Sequence, residues 1–171
     1  MSIFFAAIAV FVVLLGFVVL FGAPYVPSRP KDLRRAFEQM YKFTSDDVLV
    51  DLGSGDGIVL REASRRGARA IGYEINPLLV YISRFLSRGD SRVEVHRANI
   101  WKVRLPDDVS VVYIFGESRD IKKMLRLVQS EATRLNRRLV VISYGFKFPD
   151  MKPAKKVGAH FMYSISPLQP E

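Results

Sequence analysis

Residues 3–23 contain no charged side chain and almost no polar one, and beyond them short apolar runs alternate with charged segments of helical spacing. The first block is 21 residues long, which as a helix covers about 30 Å, the thickness of a bilayer's hydrocarbon core. A transmembrane anchor over residues 1–22 is therefore expected ahead of one domain at residues 23–171. A cleaved secretory signal fits less well, because it would want a basic start and a shorter apolar stretch. Only the terminal amine precedes the block, whereas Arg29, Lys31, Arg34, Arg35 and Lys42 follow it, so the bias of positive charge predicts a single-pass protein with its domain on the cytoplasmic face. Pro24, Pro27 and Pro30 make the connector between the two stiff and extended.

In the domain, apolar and β-branched runs predict strands at 48–52, 70–73, 92–96, 109–115 and 139–144. Leu33, Phe37, Met40 and Tyr41 mark one face of a helix starting near Pro30. Leu78, Leu79, Ile82, Phe85 and Leu86 mark a second, and Ile121, Met124, Leu125, Val128 and Leu135 a third, each expected to be a buried stripe. Strands and helices in alternation predict an α/β fold around a mostly parallel sheet. After Phe146 a Pro- and Lys-rich loop leads to a last strand at 161–165, expected to close the sheet as an antiparallel pair.

Charge narrows the partners. The net charge of +9 lies entirely beyond Gly22, and such a field suits nucleic acid, an acidic protein or an anionic lipid surface. The apolar block favours the lipid surface. The absence of cysteine excludes disulfides, thiolate metal sites and a cysteine nucleophile. His96 and His160 have no metal-ligand spacing and no serine partner, so no metal is expected and both are read as structural or surface residues.

The strongest chemical signal is Asp51-Leu52-Gly53-Ser54-Gly55-Asp56-Gly57, where an apolar strand runs into a glycine-rich turn. Ligands of open α/β sheets bind at such strand ends. The spacing is G-x-G-x-G, and Ile58 stands where a dinucleotide fingerprint requires its third glycine. Asp51 and Asp56 would also repel a pyrophosphate, while a cation would be welcome. The sulfonium and amino groups of S-adenosylmethionine fit that charge. Glu74 follows the second strand at the distance suited to ribose hydroxyls. After the third strand Asn99 is placed to bond an adenine edge and Ile100 or Trp101 to cover its face. The expected cofactor contacts are Asp51, Gly53, Ser54, Gly55, Asp56, Gly57, Glu74, Asn76, Asn99, Ile100 and Phe115.

On the acceptor side the fourth strand runs into Phe115-Gly116-Glu117-Ser118. Glu117 is the expected polar contact for an incoming amine, and Tyr25, Phe115 and Tyr144 would supply an apolar wall. The Asn/Asp-Pro-Pro-Tyr/Phe stretch of nucleobase amino-methylation is missing there, which counts against adenine or cytosine as the target. A lipid head group, a small amine and RNA stay open as acceptors, as does a non-catalytic binding module on the same scaffold.

Taken in order, Pro24-Tyr25-Val26-Pro27-Ser28, the glycine turn, Gly72-Tyr73-Glu74-Ile75-Asn76-Pro77, Trp101-Lys102-Val103, Ile114-Phe115-Gly116 and Phe146-Lys147-Phe148-Pro149 resemble the seven-β-strand protein-lysine methyltransferases. The resemblance is to the membrane-anchored group that modifies the ATP synthase c-subunit and the adenine nucleotide translocase in mitochondria. It implies a Rossmann-like class I methyltransferase sheet of seven strands with an antiparallel C-terminal hairpin. It also implies S-adenosylmethionine as cofactor and a membrane or membrane-associated protein as substrate. Asp51, Gly53, Gly55, Glu74 and Asn99 would line the cofactor, and Tyr25, Pro27 and Ser28 would close over cofactor or acceptor. Asn99 stands where the family commonly has aspartate, and Glu117-Ser118-Arg119 replaces a more apolar continuation.

Overall fold

Val48, Leu49, Val50, Asp51 and Leu52 are all buried, because the strand they form is covered on both faces. It is the centre of a computed structural model that describes Phe5, residues 30–115 and residues 120–168. The order of elements is α1 (Pro30–Met40), β1 (Val48–Leu52), α2 (Ile58–Ser64), β2 (Arg69–Glu74), α3 (Pro77–Leu86) and β3 (Val93–Arg97). A 3-10 turn (Ile100–Lys102), β4 (Val111–Phe115), α4 (Ile121–Arg134), β5 (Leu139–Tyr144), β6 (Lys155–Val157) and β7 (His160–Ile165) complete it.

The strands form one seven-stranded sheet in the order β3-β2-β1-β4-β5-β7-β6. The pairs among β1 to β5 are parallel, and β7 lies antiparallel to both β5 and β6. This is the expected α/β sheet with its antiparallel closing hairpin. β6 lies in the stretch expected to be loop, and β4 begins at Val111 rather than 109, because the Val109 N–H bonds back to the Pro106 carbonyl at 3.2 Å and closes a turn ahead of the strand.

Two cores flank the sheet. Leu33, Phe37, Val59, Leu60, Val80 and Tyr113 pack on the face carrying α1, α2 and α3, while Met124, Val128 and Ala132 of α4 pack with Phe146, Phe148 and Tyr163 on the other. Asp47 pins the amino end of β1, accepting from the Tyr41 hydroxyl at 2.6 Å and the Thr44 N–H at 2.9 Å. Tyr41 follows directly on α1, so α1 ends at the amino end of the sheet, while the charge of Asp32 in its first turn acts on His160, the neighbour of Tyr144, which sets the start of α1 toward the carboxyl end.

One expected stripe is corrected. In α3 Val80 and Ser83 face inward, while Leu78, Phe85 and Leu86 are exposed. The cause is close packing at the glycine turn: Ser83 sits against Gly57, and only a small side chain fits there. Asn76 holds the start of the helix by accepting the Leu78 N–H at 2.9 Å, with Pro77 in the first turn. Among the described residues no helix is long and apolar enough to cross a membrane. Apart from Phe5, the expected anchor at 1–22 lies outside them.

Candidate active site

Strand register places the acidic and aromatic groups together. Asp51 stands between Gly72 and Tyr113, Glu74 beside Arg97, Phe115 beside Tyr144, and Tyr144 beside His160. Alternate residues of a strand share a face, so these side chains all lie on the side of α1, α2 and α3, with Glu74, Phe115 and Tyr144 at the carboxyl ends of their strands. That end is where open α/β sheets bind ligands.

The turn after β1 is built for close approach. Gly53, Gly55 and Gly57 all have positive φ, at 92°, 54° and 79°. A side chain at Gly53 would meet no atom within 4 Å, so the space above it is open. The Tyr73 carbonyl accepts the N–H groups of Gly53 and Ser54 at 2.9 and 3.1 Å, tying the turn to β2. Gly72 is needed for the same seam, because a Cβ there would lie 2.5 Å from Ser54 Oγ and 2.6 Å from Leu60 Cδ1.

Glu74 braces the turn from the other side. Its Oε2 accepts the Gly55 N–H at 2.9 Å and its Oε1 the Asn76 N–H at 2.7 Å, leaving each oxygen one further lone pair for a hydroxyl. Asp56 is directed mainly to α2, accepting from the Ile58 N–H at 3.1 Å and pairing with Arg61 at 3.7 Å. Asn76 and Asn99 each use their side-chain oxygen to cap a turn, Asn99 accepting the Trp101 N–H at 3.0 Å. The amide donors of Asn99 stay available to an adenine nitrogen. Trp101 packs partly buried against the α4 core with the Lys123 ammonium 3.9 Å from its ring centre.

Asp51 is the anomaly. It is 2% exposed, and among the described residues its Oδ1 has no hydrogen-bond partner. Burial, then the charge of Glu74, then that of Asp56 push its pKa well above the usual carboxylate range. An orphaned buried carboxylate facing a second one is costly unless a cation or hydroxyl ligand completes it. The Ser54 hydroxyl is likewise buried and, among the described residues, without a partner. This donor set fits a cationic adenosyl ligand and does not fit a pyrophosphate.

Beyond β4 the surface becomes aromatic. Phe115 stacks on Tyr144 with ring centres 5.6 Å apart, and Tyr144 lies 4.6 Å from the His160 ring. His160, expected to be structural or at the surface, is 1% exposed and bonded to the Tyr113 hydroxyl at 3.1 Å, while His96 is half exposed and paired with Glu94 at 3.5 Å. No feature of the sequence around His160 signals its place under Tyr144, which depends on the register of the closing hairpin. Tyr25, Pro27, Ser28 and Glu117 lie outside the described residues. Among those described, no group of three metal-ligating side chains converges.

A family model for the ANTKMT methyltransferase domain matches residues 51–155, more than half of the chain. The chain belongs to that family. The ANTKMT match begins at Asp51 itself and takes in the turn, Glu74, Asn99 and the aromatic shelf. Two relatives of the family illustrate its range. The ATP synthase c-subunit lysine N-methyltransferase of Xenopus laevis is 32% identical over 133 residues, which is 76% of this chain and 56% of that protein. The adenine nucleotide translocase lysine N-methyltransferase of Mus musculus is 35% identical over 115 residues, 64% of this chain and 48% of that protein. The chain thus spans about half the length of the curated relatives it matches. Among solved structures, an RNA methyltransferase from Salinibacter ruber in complex with S-adenosyl-L-homocysteine superposes with a TM-score of 0.73 at 25% identity, covering 85% of this chain and 97% of that one.

Proposed function

We propose that this chain is an S-adenosylmethionine-dependent N-methyltransferase that modifies a lysine of a protein in or at a membrane. The observation that carries the reading is Asp51, a buried carboxylate with an oxygen unpartnered among the described residues, at the head of an open glycine turn. The relatives whose names specify lysine of the ATP synthase c-subunit and of adenine nucleotide translocase support the acceptor class, and both named targets point to a membrane setting.

When bound, S-adenosylmethionine supplies a methyl group activated on a sulfonium. Asp51 and Glu74 hold the ligand by negative charge and by the lone pairs that Gly55 and Asn76 leave open. Asn99 donates to the adenine, and Ile100 covers it. Methyl transfer is an in-line displacement, so alignment and removal of water are the main tasks of the protein. A lysine amine, with an ordinary pKa of about 10.4, must first lose a proton. The apolar shelf of Phe115 and Tyr144 desolvates the ammonium and eases that loss. Glu117 receives the amine, and Tyr25, Pro27 and Ser28 close over the site. Residues 1–22 anchor the chain, with the domain on the cytoplasmic face.

The test is incubation of the full chain with membranes and donor carrying a labelled methyl, followed by identification of the labelled molecule. Label on protein lysine is expected. Label on RNA or lipid would overturn the acceptor, and no transfer, together with no donor binding by calorimetry, would overturn the enzyme.

A further inference from the structure

α3 is apolar on nearly every side. Besides the inward Val80, the exposed side chains include Leu78 at 43%, Tyr81 at 69%, Phe85 at 54% and Leu86 at 50%, and Ile75 just ahead of the helix is 49% exposed. At about 100° per residue, Leu78, Tyr81, Phe85 and Leu86 fall within roughly 140° of arc, opposite Val80 and Ser83. A surface helix of a domain surrounded by water would carry polar residues there. A contiguous apolar patch of this kind marks a docking face.

Composition and charge choose the occupant. The helix contains no acidic residue; Arg84 on one flank of the stripe donates to the Val95 carbonyl at 2.7 and 3.0 Å, and Arg88, just past the helix end, has its guanidinium 4.4 Å from the Phe85 ring centre. Aliphatic and aromatic residues edged by arginine suit the headgroup boundary of an anionic bilayer, and the chain's charge of +9 draws it there. Position agrees. α1, α2 and α3 cover the same face of the sheet, and Pro30 and Pro77 both begin their helices at its carboxyl end. The connector from the apolar block to Pro30 reaches at most about 25 Å.

We propose that the outer face of α3 lies in the headgroup layer of an anionic bilayer, as a second membrane contact beside the N-terminal segment. This rests on the anchored reading above. Because Glu74 and Asn76 sit at the head of α3, such a contact fixes the height of the cofactor site over the membrane and so selects acceptor lysines close to the lipid surface.

The chain has no cysteine, so Tyr81→Cys, Phe85→Cys and, on the opposite face, Lys122→Cys each give one attachment point for a nitroxide. All three replaced side chains are exposed, which spares the core. The full-length variants are placed in vesicles of phosphatidylcholine and phosphatidylserine, and collisions of the nitroxide with oxygen, enriched in lipid, are compared with collisions with a water-soluble nickel chelate. The oxygen-to-nickel ratio at 81 and 85 is expected to exceed that at 122 several-fold. Equal ratios, in a chain that stays with the vesicles after an alkaline carbonate wash, would overturn the α3 contact and leave the anchor standing. Loss of the chain in that wash would overturn the anchor instead. Spin–spin broadening at 81 that disappears on dilution with unlabelled chain would mean a face between two copies, and would also overturn the proposal.

Discussion

The carboxylate of Glu74 accepts the backbone N–H of Gly55 at 2.9 Å, joining two loops 19 residues apart. The same group accepts the Asn76 N–H, so one side chain sets both the glycine turn and the start of α3. In Glu74→Gln a single amide oxygen cannot serve both donors, and one N–H faces an NH2 group. A buried donor left unpaired costs about 1–3 kcal/mol. Donor affinity is expected to fall at least tenfold by calorimetry, with a melting midpoint lower by several degrees. Glu94→Gln is the control: its carboxylate pairs with Arg69 at 2.9 Å on the surface, and exposed pairs contribute less than about 1 kcal/mol. It should leave affinity unchanged.

Asp51 links pH to binding. Its pKa is raised above that of the unfolded chain, so ionising it in the folded protein is unfavourable, and the penalty grows as pH rises from the ordinary carboxylate range to the raised value. Asp51→Asn removes that penalty. The variant should therefore melt higher than the parent at neutral pH while losing donor binding. In the parent, affinity for the cationic donor should rise with pH through the same window, with proton release on binding. Calorimetry in buffers of different ionisation enthalpy measures both. A variant that binds like the parent would remove Asp51 from the site.

Gly57 and Ser83 make a second test, of packing. A Cβ at Gly57 would collide with Ser83 Oγ, and the φ of 79° is left-handed, which costs a residue with a side chain roughly 1–2 kcal/mol. Gly57→Ala should thus destabilise by about 2–4 kcal/mol. The Ser83 hydroxyl is buried without a partner among the described residues, so Ser83→Ala alone should be neutral or stabilise slightly. In the double variant the hard collision with Oγ is gone, leaving the backbone cost and two tight contacts of 3.2 Å, to the Cβ of residue 83 and to Arg61, so urea unfolding of the four proteins should give a coupling of about 1 kcal/mol or more. Additive effects would mean that the two residues do not touch.

The legible parts of the chain are those whose burial is symmetric or whose glycines are demanded by geometry. β1 and β5 have the ends that their residues predict, because a strand covered on both faces is a continuous apolar run. The turn from Gly53 to Gly57 is legible in its spacing, and its positive φ values show why glycine stands there. β6 is not legible, because two of its three residues are exposed lysines, and what holds it is backbone pairing with β7 and the Lys155 ammonium donating to the Met40 carbonyl at 3.0 Å. The orientation of α3 is hidden too, since apolar residues surround that helix and periodicity then has no preferred direction. What decides it is one contact, Ser83 on Gly57, that joins distant parts of the chain. His160 is hidden for the same reason, since its neighbours Tyr113 and Tyr144 come from β4 and β5.

In an Asp51→Asn background, which removes the opposing titration of Asp51, His160 should dominate stability between pH 4 and 6.5. Burial lowers its pKa to about 4, against a hydrogen bond to the Val157 backbone and the charge of Asp32, which raise it. In the unfolded chain a histidine titrates near 6.5, so across this window the unfolded state binds more protons and stability falls as pH falls. Over the full shift the loss is up to about 3 kcal/mol. The carboxylates Asp47 and Glu62, whose values are lowered by their partners, lose their contribution only below about pH 4.5, which separates the two effects. His160→Gln keeps a polar group for the Tyr113 hydroxyl and cannot be charged. With Asp51→Asn in both proteins, urea midpoints followed by circular dichroism should slope between pH 6.5 and 4 when His160 is present and be flat when it is replaced. A slope that survives the substitution would belong to another group, and His160 would then not be the neutral support under Tyr144.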